Sequence, residues 1–125
     1  MTRLTIDGKP SDVPRARRWV VRTCRQCGTC EVDTDLAELL TSEVVGNAVR
    51  HGQGPVRLDV ECRSGTVRIS VTDAGSDAPL PRHVDYDATS GRGLALLQAL
   101  AHTWGHTPTP PPDHGKSVWF ELRAD

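Results

Sequence analysis

The chain has almost no net charge, since fifteen Lys and Arg against sixteen Asp and Glu leave −1 over 125 residues. That removes the electrostatic footprint of a protein whose main activity is to bind nucleic acid or an anionic membrane surface. It also lacks any apolar run near the ~20 residues needed to span a bilayer, and its N-terminus has no apolar signal-peptide segment. The expected location is therefore cytoplasmic. Internal repeats are absent as well. The length suits one domain over residues 1–125, large enough to bury a core without staples. The one basic cluster, Arg15-Ala16-Arg17-Arg18, reads as a solvated helix face.

Cysteine is scarce, with four in the chain, and nothing in the sequence marks a secreted disulfide framework. Free thiols or a metal site are the expectation. Cys24, Cys27 and Cys30 have the spacing of a ligand cluster, yet no fourth ligand is near in sequence. Only Cys62, at the end of a strand far along the chain, or a distant histidine could complete a tetrahedral zinc site. The competing reading is small buried or surface thiols.

What is present divides into helices, alternating strands and one long loop. Thr2 to Ile6 reads as a strand, and Ser11 or Asp12 can cap a helix with Pro14 in its first turn that runs to about Gln26 and is closed by Gly28. Asp33 or Thr34 caps a second, longer helix ending at His51-Gly52. Val56, Leu58, Val60 and Cys62 alternate with polar residues, as do Val67, Ile69 and Val71, which predicts an antiparallel hairpin turning at Arg63-Ser64-Gly65. Residues 74 to 90 lack periodicity and read as a mobile loop. Gly93 to Ala101 returns to helix with Leu94, Leu97 and Leu100 inward. Trp104 falls in a short strand, Pro108 to Pro112 in a stiff turn, and Ser117 to Arg123 in a last strand with Val118, Phe120 and Leu122 inward. The expected fold is α+β, a two-layer sandwich in which a mixed, mostly antiparallel sheet is covered on one face by about three helices.

Glu43, Asn47 and His51 stand four residues apart on the long helix. Each step of four turns the side chain by about 40°, so the three form one narrow stripe. With Leu36 at zero, Leu40 lies near 40° and the stripe spans about −20° to 60°, which predicts that it continues the apolar face. A carboxylate and an amide placed there cost several kcal/mol unless something binds them. The helix is thus expected to start as scaffold and end as the wall of a site.

Three further segments lie at element edges. Val71-Thr72-Asp73-Ala74-Gly75 ends a strand with a carboxylate, an acceptor suited to a ring amine such as that of adenine, and a glycine that permits close approach. Gly91-Arg92-Gly93-Leu94 opens a helix, where unpaired N–H groups and the helix dipole favour phosphate. Gly115-Lys116-Ser117-Val118-Trp119 begins the last strand and can add a hydroxyl to the base pocket.

In order and spacing these segments resemble the GHKL (Bergerat-fold) ATP-binding superfamily, which includes gyrase, Hsp90, MutL and the histidine-kinase catalytic domain. Glu43-x3-Asn47-Ala48-x2-His51-Gly52 looks like its N box, Asp73-x-Gly75 its G1 box, Gly91-x-Gly93-Leu94 its G2 box, and Gly115 to Trp119 its last box. Asn-Ala-Val-Arg-His-Gly and the Gly-Arg-Gly-Leu turn are most similar to the anti-sigma-factor serine/threonine kinases and the small actinobacterial ATP-binding regulators.

The resemblance implies ATP and Mg²⁺ as cofactors. It implies that Asn47 holds the Mg²⁺, that Asp73, Gly75 and Ser117 form the adenine pocket, and that Gly91, Arg92, Gly93 and Leu94 wrap the phosphates. Glu43 becomes the catalytic base, and His51 shapes the helix end. Two departures from the pattern stand out. Ser76-Asp77 follows Gly75 where the G1 box has a second glycine, and the loop from 76 to 90 is short for an ATP lid, which together imply loosely held nucleotide. The implied partners are a sigma factor and an anti-sigma-factor antagonist protein, the latter phosphorylated on serine or threonine. The resemblance also allows a homodimer and implies no direct contact with nucleic acid or membrane. The alternative is a non-catalytic ATP-binding module that acts by docking, but retention of Glu43 favours the enzyme. A sensor histidine kinase fares worse, because 125 residues leave no room for a phosphoacceptor hairpin.

Overall fold

The computed structural model describes residues 1–27, 31–63, 65–75, 95–108 and 115–123. Five strands, β1 (Thr2–Ile6), β2 (Val56–Arg63), β3 (Thr66–Asp73), β4 (Thr103–Pro108) and β5 (Lys116–Arg123), form one sheet in the order β1-β2-β3-β5-β4. All four pairings are antiparallel. Helices α1 (Val13–Arg25) and α2 (Thr34–His51) cover one face, joined there by the helical residues 95–100 (α3). The two-layer α+β sandwich follows from the period-two patterning of the strands. Val67, Ile69, Val71 and Asp73 on β3 point into the core in phase with Lys116, Val118, Phe120 and Leu122 on β5.

Local signals set the element ends. The Asp33 carboxylate accepts from the N–H groups of Asp35 at 3.0 Å and Leu36 at 3.1 Å, satisfying two of the donors that a helix N-terminus leaves unpaired. Gly65, at φ 77°, takes the left-handed conformation that the tight β2–β3 turn requires. Asp12 occupies the N-cap position of α1, but its carboxylate turns back to accept from the Lys9 N–H at 3.1 Å rather than capping the helix.

The core joins Ala16, Val20 and Cys24 of α1 to Ala37, Leu40, Val44, Val45 and Ala48 of α2 and to the inner face of the sheet, with Phe120 fully buried. The opposite face of the sheet is laced with charge pairs. Arg3 and Arg57 both reach Asp59, and Arg68 pairs with Glu121 at 2.8 Å while its guanidinium lies 4.1 Å from the centre of the Trp119 ring.

Three sequence expectations need correction. Leu100 is 43% exposed, because α3 turns Leu97 fully inward and sets Leu96 and Ala101 beside it. Leu94 lies outside the described residues. The stripe of Glu43, Asn47 and His51 does not continue the core face. The buried residues of α2 centre about 110° round the helix from Leu36, so Glu43 and Asn47 are half-buried at the margin, while His51 is exposed as the last residue of the helix. Finally, Cys27 and Cys62 are not free thiols but form a disulfide, with Cα atoms 6.2 Å apart. Packing of the C-terminal end of α1 over the far end of β2 brings together residues 35 apart in sequence. Cys24 is buried outside that bond, and Cys30 lies outside the described residues. Among the described residues, no group of three or more His, Cys, Asp or Glu is placed to hold a metal ion.

Candidate functional site

The C-terminal end of α2 is fastened to the end of β3, and this junction builds the site. The Gly52 N–H donates to the Ala48 carbonyl at 2.8 Å, and the Ala74 N–H donates to the Gln53 carbonyl at 2.9 Å. The chain therefore leaves the helix directly over Asp73. Gly52 makes that approach possible: a Cβ there would stand 2.5 Å from the Asp73 carboxyl carbon and 2.5 Å from the Ala48 oxygen, inside any real contact.

Asp73 is 5% exposed, and its charge is held by two donors. Its Oδ1 accepts the Gly75 N–H at 2.7 Å and the Lys116 ammonium at 3.2 Å. The Lys116 side chain is itself only 9% exposed, so this is a buried ion pair between neighbouring strands. A carboxylate in such a place must keep its donors or be strongly destabilising.

Along α2, away from Gly52, Asn47 stands about 7.5 Å and Glu43 about 13.5 Å back at 1.5 Å per residue. The Asn47 amide oxygen accepts from the Arg50 guanidinium at 2.8 Å, and Arg50 reaches it across the bare surface of Gly46. A cationic group already rests on the one side-chain oxygen that Asn47 offers. The chemistry of that donor fits Mg²⁺, which binds few protein oxygens and takes the rest of its shell from phosphates and water.

The structure thus brings Asp73 and Gly75 together beneath the end of the helix that carries Asn47 and Glu43. It does not bring Ser117 to Asp73. Ser117 is paired with Thr72, whose hydroxyl donates to the Ser117 Oγ at 3.1 Å on the uncovered face of the sheet. The position facing Asp73 belongs to Lys116. Period-two phasing with Val118, Phe120 and Leu122 marks Lys116 as inward from sequence alone. Gly91, Arg92, Gly93 and Leu94 lie outside the described residues.

The family profile of the histidine kinase-like ATPase domain matches residues 6–120. Two relatives from Mycobacterium tuberculosis are each 32% identical over 105 residues, 73% of this chain: the sensor histidine kinase component HK1 of strain H37Rv and a probable sensor histidine kinase HK of strain CDC 1551. The chain spans 62% of the first and 28% of the second. Among solved structures, the RsbU and RsbW domains of Rv1364c from Mycobacterium tuberculosis superpose with a TM-score of 0.66 at 22% identity, covering 99% of this chain and 33% of that one. The catalytic domain of histidine kinase ThkA gives 0.56 at 15% identity, covering 99% and 98%. At those identities the likeness is one of fold.

Proposed function

Because the chain belongs to the histidine kinase-like ATPase domain family of the GHKL superfamily, we propose that it binds Mg-ATP at the α2–β3 junction and transfers the γ-phosphoryl group to a serine or threonine of an antagonist protein, while also binding a sigma factor. The observation that carries this reading is the layout of the site. A buried carboxylate, Asp73, sits at one end, and an amide and a second carboxylate, Asn47 and Glu43, follow in that order along one helix edge.

Each group has a task matched to its chemistry. Asp73 accepts from the amine of the base, and the Cβ-free backbones of Gly75 and Gly52 let the chain lie directly against its carboxylate. Asn47 would hold Mg²⁺ through its amide oxygen, which requires Arg50 to swing off it. When bound, the ion supplies charge neutralisation for the phosphates. Gly91, Arg92, Gly93 and Leu94 are assigned to the phosphates through their backbone donors. Glu43, half-buried and farthest from the base end, orients the acceptor hydroxyl and takes its proton as the new O–P bond forms, the bond to the β-phosphate oxygen breaks and ADP leaves. The RsbW-containing neighbour supports a regulatory kinase.

A second reading is favoured by the relatives named sensor histidine kinases. In it the acceptor is a histidine of another chain. Transfer of γ-labelled phosphate to a co-encoded partner separates the two, because a phosphoester survives acid and a phosphoramidate does not. Acid-stable label on serine or threonine, lost in Glu43→Ala while ATP binding persists, is expected. Acid-labile label would move the assignment to a histidine acceptor, and no label on any co-encoded partner would leave a docking module. Asp73→Asn or Asn47→Ala should weaken Mg-ATP binding at least tenfold, about 1.4 kcal/mol. Unchanged calorimetric affinity in both variants removes the nucleotide assignment.

A further inference from the structure

We propose that Lys116 is a built-in competitor for the base pocket, its ammonium standing on Asp73 where the amino group of an adenine ring would donate. The inference rests on the reading of Asp73 as the acid that receives the base. Three observations place the ammonium directly on the carboxylate that would receive the base. The Lys116 stem runs along the core face of β5, and its Nζ ends 3.2 Å from the same Oδ1 that accepts the Gly75 N–H. A Cβ placed on Gly75 would lie 3.0 Å from that oxygen, 3.1 Å from the Lys116 Nζ and 3.1 Å from the Gly52 Cα. The ammonium, the carboxylate and two glycine backbones therefore share one closely packed volume, and a ring amine that reaches Asp73 must take the place of the ammonium.

An alkylammonium and an aromatic amine are both N–H donors to a carboxylate. They differ in that the first carries full charge and is tethered to the protein, so it is always present at high local concentration. A ring amine that enters must displace it, and the displaced cation must leave a buried pair for water. In the free protein the pair satisfies Asp73 and holds the junction closed. In the bound protein the ring amine satisfies Asp73 instead. Removing the ammonium hence penalises the free state, which is left with a buried unpaired carboxylate, more than the bound state, where the ligand restores the donor. By linkage the variant must bind more tightly even as it becomes less stable.

The test is calorimetric titration of adenosine and of Mg-ATP into wild type and Lys116→Met, which keeps the length of the stem and removes the charge. Lys116→Met is expected to have a lower melting temperature without ligand and to bind adenosine about tenfold more tightly, with Asp73→Asn abolishing that gain. Equal or weaker binding by Lys116→Met, with the wild type binding normally, overturns the proposal and leaves the nucleotide reading intact. If neither protein binds adenosine or Mg-ATP, the reading of Asp73 fails and the proposal falls with it. Should Lys116→Met not fold, the wild-type protein with ¹⁵N-labelled lysine decides the matter, its Lys116 ammonium resonance assigned from the signal missing in Lys116→Arg. Loss or a large shift of that resonance on saturation with adenosine supports displacement, and an unmoved resonance refutes it.

Discussion

Gly52→Ala is the most searching single change to the α2–β3 junction, because the added methyl has nowhere to go. Its Cβ would stand 2.5 Å from the Ala48 carbonyl oxygen, 2.5 Å from the Asp73 carboxyl carbon and 2.7 Å from Oδ1, whereas real Cβ contacts essentially never fall under 3.0 Å. Something must move by about half an ångström. The carbonyl is part of the helix backbone and the carboxylate is buried and doubly bonded, so neither is the loose end of a flexible side chain. Overpacking of this kind costs about 1–3 kcal/mol. Displacing Asp73 also loosens the 2.7 Å bond from the Gly75 N–H and the 3.2 Å ion pair to Lys116, and hydrogen bonds to a charged group contribute about 1.5–3 kcal/mol each. Partial loss of these brings the expected destabilisation to about 2–4 kcal/mol, or a melting temperature lower by on the order of 10 °C. Urea denaturation should show the midpoint falling with an unchanged slope, and Mg-ATP affinity should fall with it. A variant within about 0.5 kcal/mol of wild type that binds nucleotide normally would show that the junction is not built as described.

The neighbouring Gly46→Ala should do the opposite. The nearest atoms its Cβ would meet belong to the Arg50 guanidinium, at 3.3 Å, the end of a long exposed side chain that also donates to Asn47, so the helix-propensity gain of up to about 1 kcal/mol should appear as a raised urea midpoint; a lowered midpoint would mean that Arg50 cannot give way. Reduction of the Cys27–Cys62 bond, which closes a 35-residue separation, should lower stability by about 3–4 kcal/mol on the chain-entropy relation. Melting with and without reductant checks this, and Cys27→Ser/Cys62→Ser should melt with the reduced wild type whether reductant is present or not.

Much of the fold was legible because its signals are local. The Asp33 cap, the hairpin around Gly65 and the alternation in β2, β3 and β5 each depend on residues within a few positions of one another. The rotation of α2 was less legible for a physical reason. Leu36, Leu39, Leu40, Val44, Val45 and Val49 ring most of its circumference, so periodicity gives an amphipathic helix without a unique inward direction. Packing against α1 and the sheet chose Ala37, Leu40, Thr41, Val44, Val45 and Ala48 and moved Glu43 and Asn47 to the edge. For a site this is the more useful place, since half-burial leaves both groups reachable.

From sequence alone came the family resemblance, the element order and the set of polar residues that lie at element ends, because motif spacing and period-two or 3.6-residue patterning are properties of the chain itself. The tertiary structure alone decided which of those residues meet. It placed Gly52 on Asp73, turned Ser117 outward to Thr72, joined Cys27 to Cys62, and seated Lys116 on a carboxylate 43 residues away. Such meetings depend on strand register and on the docking of α2 across the sheet, and no local pattern encodes either.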